Sequence, residues 1–250
     1  MSELDVTSSR SRSDSDAGAM FDDVSGYEEL LNRGLRLSGE TRDYFARERI
    51  CVMKEFIDGQ PSPARILDYG CGTGDTSSLL ASNFPKSEVI GVDTSGPAIA
   101  SAEERFGGPR IGFEAVSQIS TTGVFDVAYV NGVFHHIRPA ERPAAVSAIF
   151  ERLRPGGHCM FFENNPYSPA ARLVMRRIPF DRDAIMIWPN EAGRLLRDAG
   201  FDTPHSTRFL FVFPKALRIL RLLEVSLSRL PIGAQYLIVS RKPDSENSEE

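Results

Sequence analysis

Apolar residues along this chain fall into short runs, separated by segments in which apolar positions recur every three or four residues. The short runs predict β-strands and the periodic segments predict helices. The predicted strands are 66–69, 87–93, 111–115, 125–130, 158–162, 208–213 and 235–242. Alternation of strands with helices is typical of a parallel sheet covered on both faces. We therefore expect an α/β fold, and the length of 250 residues favours a single domain.

The first predicted strand runs into a glycine turn, and the sequence there is ILDYGCGTGDTS, residues 66–77. Gly70, Gly72 and Gly74 alternate with other residues, and Asp68 stands near the end of the strand. Glycine tolerates unusual dihedral angles and lets a ligand approach the backbone closely. Dinucleotide-binding folds use the spacing G-x-G-x-x-G, whereas here Asp75 occupies the position of the third glycine. The turn thus indicates a nucleotide-binding device whose glycine spacing differs from that of the dinucleotide-binding folds.

A second acidic residue, Asp93, ends the second predicted strand about 20 positions beyond the glycine turn. An acidic residue at this spacing accepts hydrogen bonds from ribose hydroxyls in nucleotide-binding α/β folds. The alternative is that Asp93 only caps the helix predicted to start near Gly96. We favour ribose binding because the glycine turn and the acidic residue occur together.

These motifs, in this order, resemble the class I S-adenosylmethionine-dependent methyltransferases over about residues 60–163. The resemblance implies a Rossmann-like, doubly wound, seven-stranded sheet whose last strand is antiparallel, with helical insertions after strands 5 and 6. It also implies S-adenosylmethionine as the cofactor. The cofactor-binding residues that it implies are Asp68, Gly70, Cys71, Gly72, Gly74, Asp93, Thr94, Val116, Ser117 and Asn131.

Candidate catalytic residues follow the fourth and fifth predicted strands. His135 and His136 are adjacent, so we expect one to face the ligand and the other to pack behind it. A neutral imidazole can take a proton from an acceptor, although a structural role for the pair is the alternative. Glu163 follows strand five and is expected at the mouth of the site, as a base, as a binding group for a cationic acceptor or as a surface residue. Methyl transfer needs neither a covalent nucleophile nor a metal, and no metal site is expected.

The segments outside the sheet are expected to include a helical region that contacts ligands and two tails. Residues 25–242 form the predicted domain, in which 25–58 is a helical lid over the cofactor or a helix packed on the sheet edge. Tyr44 and Arg49 are candidates there for contact with ligands. Tails are predicted to be disordered at 1–24 and 243–250, because both are poor in apolar residues.

Two basic clusters lie in the predicted insertions 164–188 and 214–231. Arg172 and Arg176 are one helical turn apart, and arginine suits carboxylate or phosphate groups, so we predict that they bind substrate. The alternative is a solvated run of charge. In the second insertion, Lys215, Arg218 and Arg221 border a leucine-rich face of a predicted amphipathic helix. Contact with an anionic membrane through 214–230, with a lipid-like substrate, with a second copy or with its own domain all fit that pattern.

Composition narrows the choice of partners. A net charge of −5 argues against nucleic acid, and three cysteines without a C-x-x-C pair suit a reducing compartment. No signal-peptide pattern is evident, so we expect a cytoplasmic protein. The predicted function is methyl transfer to oxygen, or less favourably nitrogen, of a small acceptor, for which an anionic or lipid-like molecule is one expectation. A non-catalytic cofactor-binding protein and a nicotinamide-dependent oxidoreductase are the alternatives.

Overall fold

The computed structural model describes residues 39–119, 121–178, 181, 184–203, 206–211, 213 and 215–244. The tail predicted at 1–24, the first part of the predicted lid, 25–38, and most of the tail predicted at 243–250 lie outside the described residues. Among the residues that are described, no helix is both long and apolar enough to span a bilayer.

Seven strands form a single sheet. They are β1 (Arg65–Tyr69), β2 (Glu88–Asp93), β3 (Ile111–Ala115), β4 (Phe125–Asn131), β5 (Leu153–Asn164), β6 (Ser206–Leu210) and β7 (Gln235–Arg241). Within the described part of the chain, the α-helices are α1 (Arg42–Ile57), α2 (Asp75–Asn83), α3 (Gly96–Phe106), α4 (Arg142–Arg152), α5 (Pro169–Arg177), α6 (Pro189–Asp198) and α7 (Glu224–Leu227). A 3₁₀ helix, Lys215–Leu223, precedes α7.

The strand order is β3-β2-β1-β4-β5-β7-β6, and the first five strands in this order are parallel. Strand β7 is antiparallel to both of its neighbours, β5 and β6. The prediction of a doubly wound α/β sheet with an antiparallel last strand is therefore confirmed. The strand order reverses between β1 and β4, and ligands of open α/β sheets bind outside the carboxyl ends of the strands at such a point.

Helices cover both faces of the sheet because successive strand residues point to opposite sides. In β1, Leu67 belongs to a core cluster with Phe134 and Phe161. Its neighbour Ile66 belongs to a second cluster that includes Met53 of α1. Helix α1, which is the described helix of segment 25–58, thus packs on the sheet.

The larger departures from the sequence expectations concern three elements. Strand β5 starts at Leu153, not at 158, and accommodates its Pro-Gly-Gly segment through a register shift against β4. Strand β6 ends at Leu210 instead of 213. The continuous amphipathic helix predicted within 214–231 is wrong: its first part is a 3₁₀ helix with non-helical dihedral angles at Leu217, followed by the single turn of α7.

Candidate functional site

The glycine turn after β1 is bonded to the end of β2. The amides of Gly70 and Cys71 both donate to the carbonyl of Val92, at 2.7 and 3.0 Å. The amide of Gly72 donates to Oδ2 of Asp93 at 2.9 Å. The sequence pairing of the glycine turn with Asp93 is therefore a physical contact at the carboxyl edge of the sheet.

The three glycines of the turn have positive φ angles of 77°, 54° and 81°, which side chains rarely adopt, but their surroundings differ. A Cβ atom at Gly70 would overlap the side chain of Val133, and one at Gly74 would lie 2.7 Å from the ring of Phe113. A Cβ atom at Gly72 would meet no described atom within 4 Å. Gly70 and Gly74 are thus required by the protein's own packing, whereas Gly72 borders open space.

Asp93 has a structural task as well as an accessible carboxylate. Its Oδ1 accepts the amide of Ser95 at 2.9 Å, and Ser95 itself caps α3 by accepting the amide of Ala98 at 3.3 Å. The cap of α3 is therefore Ser95, and Asp93 supports the turn before it. Because Asp93 is only partly buried and has further lone pairs, it can also accept hydrogen bonds from a ligand.

Asp68 and Cys71 are buried beneath the turn. Ser77 of α2 donates to Oδ2 of Asp68 at 2.6 Å. Burial raises the pKa of Asp68 to about 7, although the Ser77 hydrogen bond opposes the shift. Burial also raises the pKa of the Cys71 thiol, which packs with Phe113 and Ala102. Cys71 is thus a small residue that fits the turn and not a reactive thiol.

The remaining predicted cofactor residues lie at neighbouring strand ends. Thr94 and Ser117 are exposed, and the amide of Val116 donates to the carbonyl of Asp93 at 3.0 Å. Asn131 ends β4, and its buried Oδ1 has no hydrogen-bond partner among the described residues. Since buried polar atoms are generally hydrogen-bonded, this oxygen marks a position where a ligand donor would be accommodated.

His135 and His136 meet an aspartate that the sequence did not single out. Nδ1 of His135 lies 2.7 Å from Oε2 of Glu163, and its Nε2 lies 3.5 Å from Oδ1 of Asp181. Nε2 of His136 lies 3.3 Å from the same oxygen of Asp181. Glu163 also accepts the amide of Phe134 at 2.7 Å. The two histidines, Glu163 and Asp181 form what we call the histidine–carboxylate cluster.

The two histidines of this cluster differ in pKa because Glu163 contacts His135 directly. Burial alone would lower the pKa of His135, but the charge of Glu163 and hydrogen bonds to both carboxylates raise it well above its ordinary value. Burial lowers the pKa of His136. The expected position of Glu163 at the mouth is wrong: its side chain is 1% exposed because β5 continues past it to Asn164 and its oxygens bind His135 and Phe134.

Arg142 fixes the turn that carries the histidines, and the sequence pattern does not indicate this role. It is almost fully buried and donates to the carbonyls of Phe134 and Ile137, both at 3.1 Å, and to Ile185. It also forms an ion pair with Glu191 at 2.7 Å. An arginine that starts a helix after a histidine pair gives no distinctive sequence signal, because two of its partners, Ile185 and Glu191, lie 43 and 49 residues away.

The predicted substrate residues separate into two groups. Tyr44 lies with its ring 4.7 Å from the guanidinium of Arg221, and Arg49 is buried and donates to the hydroxyl of Tyr129 at 3.1 Å. These two residues join α1 to the rest of the domain. Arg172 and Arg176 project from α5 and are exposed.

Comparison with known proteins identifies related sequences and folds. Residues 66–157 match a family model described as a methyltransferase domain. Trans-aconitate 2-methyltransferase of Variovorax paradoxus is 38% identical over 134 residues, which are 51% of this chain and 50% of that protein. The ubiquinone/menaquinone biosynthesis C-methyltransferase of Desulfotalea psychrophila is 27% identical over 163 residues, which are 64% of this chain and 62% of that protein.

The fold comparison extends over most of the chain. A crystal structure of a methyltransferase from Thermotoga maritima that depends on S-adenosylmethionine superimposes with a TM-score of 0.60 and 20% sequence identity. The match covers 90% of this chain and 99% of that one, so it establishes the fold. The chain spans about half to three fifths of the two curated relatives named above.

Proposed function

We propose that this chain is a class I S-adenosylmethionine-dependent methyltransferase and that it transfers a methyl group from that cofactor to a small-molecule acceptor. The observation that carries the proposal is the open space at Gly72 beside the carboxylate of Asp93. This space lies where the strand order reverses between β1 and β4, the position at which such folds bind nucleotides.

The residues at this edge fit S-adenosylmethionine. A backbone without a side chain at Gly72 admits the methionine part, and the carboxylate of Asp93 accepts hydrogen bonds from the ribose hydroxyls. The unpartnered Oδ1 of Asn131 accepts a donor of the cofactor. Val116 and Ser117 follow β3 and line the adenine. Gly70, Gly74, Asp68 and Cys71 hold the turn in shape, and Thr94 borders the ribose.

When bound, S-adenosylmethionine supplies a methyl group already activated by its positively charged sulfur. The protein's own residues then have to orient the acceptor and exclude water, and positioning alone is worth up to about 7–11 kcal/mol in favourable cases. Of the three predicted catalytic residues, His136 has the most accessible side chain, at 23%, against 4% for His135 and 1% for Glu163. We assign the contact with the acceptor to His136, and His135 and Glu163 act as positioning residues.

We place an anionic, oxygen-bearing acceptor first. Trans-aconitate, which names one relative, is a carboxylate, and exposed arginines on α5 can hold such a group through paired N–H donors. Arg172 and Arg176 lie on the segment after β5, at the edge where ligands of this fold bind. The arginines are therefore proposed to capture the acceptor.

A second class of acceptor is favoured by exposed apolar side chains on the 3₁₀ helix. Ile219 and Leu222 are 78% and 87% exposed, and Lys215 and Arg218 are exposed beside them. Arg221, in contrast, is bound to Glu40 at 2.7 Å. Such a surface suits an amphipathic acceptor held at an anionic membrane. Flotation with anionic liposomes tests this assignment. We expect the wild-type protein to float with the liposomes and the Leu222→Asp variant to remain unbound.

The test of the proposed function is transfer of a labelled methyl group. The protein is incubated with methyl-labelled S-adenosylmethionine and separate pools of di- and tricarboxylates, phenols, amines and lipid-linked sugars. We expect label in an extractable product from the carboxylate pool, and at least tenfold less label with the Gly72→Ala variant at a cofactor concentration below the wild-type Kd. Cofactor binding without a product in any pool would instead support a non-catalytic cofactor-binding protein.

The nicotinamide alternative is tested in the same preparation. A dinucleotide site needs G-x-G-x-x-G to seat a pyrophosphate, and the position of the third glycine is Asp75, whose carboxylate is paired with Arg105 at 2.9 Å. We expect no binding of nicotinamide dinucleotides by calorimetry under conditions in which S-adenosylhomocysteine binds. The reverse order of affinities would favour an oxidoreductase.

A further inference from the structure

We propose that His135, His136 and Asp181 form a binding site for a divalent first-row transition-metal ion, with Glu163 supporting the His135 ligand. The three side chains offer one ligand atom each, and these atoms all lie within 4.8 Å of one another. Two imidazoles and one carboxylate are a donor set suited to zinc or iron, and leave coordination positions open. This proposal does not depend on methyl transfer.

The distances within the histidine–carboxylate cluster divide into two kinds. His135 and Glu163 are 2.7 Å apart, the length of a charge-assisted hydrogen bond. Asp181 stands farther away, with its Oδ1 at 3.5 Å from Nε2 of His135 and at 3.3 Å from Nε2 of His136. Metal–ligand distances of about 2.0–2.2 Å put two donors on one ion roughly 2.8–3.6 Å apart. The spacing around Asp181 thus matches ligands that share an ion.

The way His135 is held also matches a metal ligand. Metal-binding histidines almost always donate their second ring N–H to a carboxylate or carbonyl, which fixes the tautomer and the ring orientation. Glu163 takes this position at Nδ1 of His135, which directs Nε2 towards Asp181. Glu163 is itself held by the amides of Phe134 and Asn164, at 2.7 and 3.2 Å. The carboxylate proposed as a ligand, Asp181, is 7% exposed.

Charge supports the same assignment. The cluster places two carboxylates, Glu163 and Asp181, beside two imidazoles in a largely buried position. Buried charges have to be paired or coordinated to metal, since burial of an isolated charge is costly. With both imidazoles neutral, one divalent cation balances the two carboxylates. His136 is the ligand with accessible surface, so the open coordination positions would face the side from which an acceptor oxygen or water enters.

The test is metal binding by tag-free protein from which metal has been stripped with a chelator. Calorimetry with Zn²⁺ and visible absorption with Co²⁺ should each give one ion per chain. We expect Asp181→Asn to bind at least tenfold more weakly, and Glu163→Gln to lose about 10- to 100-fold in affinity because a metal ligand loses its support. Neither measurement needs cofactor or acceptor, so its failure is separate from failure of the proposed transferase activity.

Two control variants exclude adventitious binding. The first is His158→Ala, at a histidine outside the cluster that packs against Phe56. The second is Cys51→Ser, at an exposed thiol. We expect both variants to bind the metal with the affinity of the wild type. Circular dichroism checks that each variant is folded. His136→Gln, at the partly exposed ligand, serves if Asp181→Asn fails to fold, and the wild-type titration decides by itself if both fail. No binding by the wild type, or equal binding by folded cluster variants, would overturn the site.

Discussion

Replacing Gly72 by alanine separates ligand space from backbone strain at the proposed cofactor site. The φ angle of Gly72 is 54°, so an alanine there should cost about 1–2 kcal/mol of folding stability from left-handed strain. Such a cost corresponds to a fall of roughly 2–8 °C in Tm for a domain of this size. A Cβ atom meets no described atom within 4 Å, so no clash adds to the strain. The variant should therefore fold and yet lose cofactor affinity, because the alanine side chain occupies the space assigned to the ligand.

Gly59 provides the matched control. Its φ angle is 80° and a Cβ atom there also meets nothing within 4 Å, but it lies in the exposed connection after α1. Gly59→Ala should thus show a similar loss of stability with unchanged affinity for S-adenosylhomocysteine. We expect calorimetry to show at least a tenfold weaker Kd for Gly72→Ala, equivalent to about 1.4 kcal/mol. If the two variants bind S-adenosylhomocysteine equally well, the open space at Gly72 is not part of the site.

Three further predictions concern other parts of the site. Asp93→Ala should weaken S-adenosylhomocysteine binding by about 1–3 kcal/mol in calorimetry, since charge-assisted hydrogen bonds to the ribose are lost, and an unchanged Kd would remove Asp93 from the site. Burial raises the folded-state pKa of Asp68 to about 7, so its native carboxyl holds a proton that the unfolded chain releases. The free energy of unfolding should consequently fall as the pH rises from about 4 to about 7, and urea unfolding of Asp68→Asn should lack this component of the slope. Charge reversal of Arg172 and Arg176 to glutamate should raise the KM for an anionic acceptor and leave the cofactor affinity unchanged. The control variant Arg194→Glu, on α6, should leave that KM unchanged. If the α5 variant and the control have equal KM values, the α5 arginines belong to the solvated surface.

The sequence predicts the sheet well because its strands carry their own local signals. Strand β3 is observed at the predicted residues, Ile111–Ala115, and the glycine turn lies where its spacing indicated. Strand β5 departs most from its predicted bounds, because Pro155 and the two glycines after it are typical of a turn. Pairing of Leu153 with Phe125 in β4 overrides that signal and extends the strand. Local patterns are thus reliable here except where pairing with a neighbour decides.

The site was predictable only where it lies within one motif. The contact between Gly72 and Asp93 follows from a spacing typical of the fold. Asp181 reaches the histidines across about 45 residues, within a segment whose composition suggests only charge, so no local pattern indicates it. Arg221 was expected on a basic helix edge, but it is bound to Glu40 and to the ring of Tyr44, a contact between two ends of the chain. Contacts of this kind depend on the fold and have no signature in neighbouring residues.

The most direct test of the central claim is a crystal structure of the chain with S-adenosylhomocysteine. We predict that the ligand lies at the carboxyl ends of β1, β2 and β4, with its homocysteine part against Gly72 and its ribose hydroxyls donating to Asp93. We also predict that Oδ1 of Asn131 gains a hydrogen-bond donor. A ligand bound elsewhere on the sheet, or no ligand at saturating concentration, would contradict the assignment of this edge as the cofactor site.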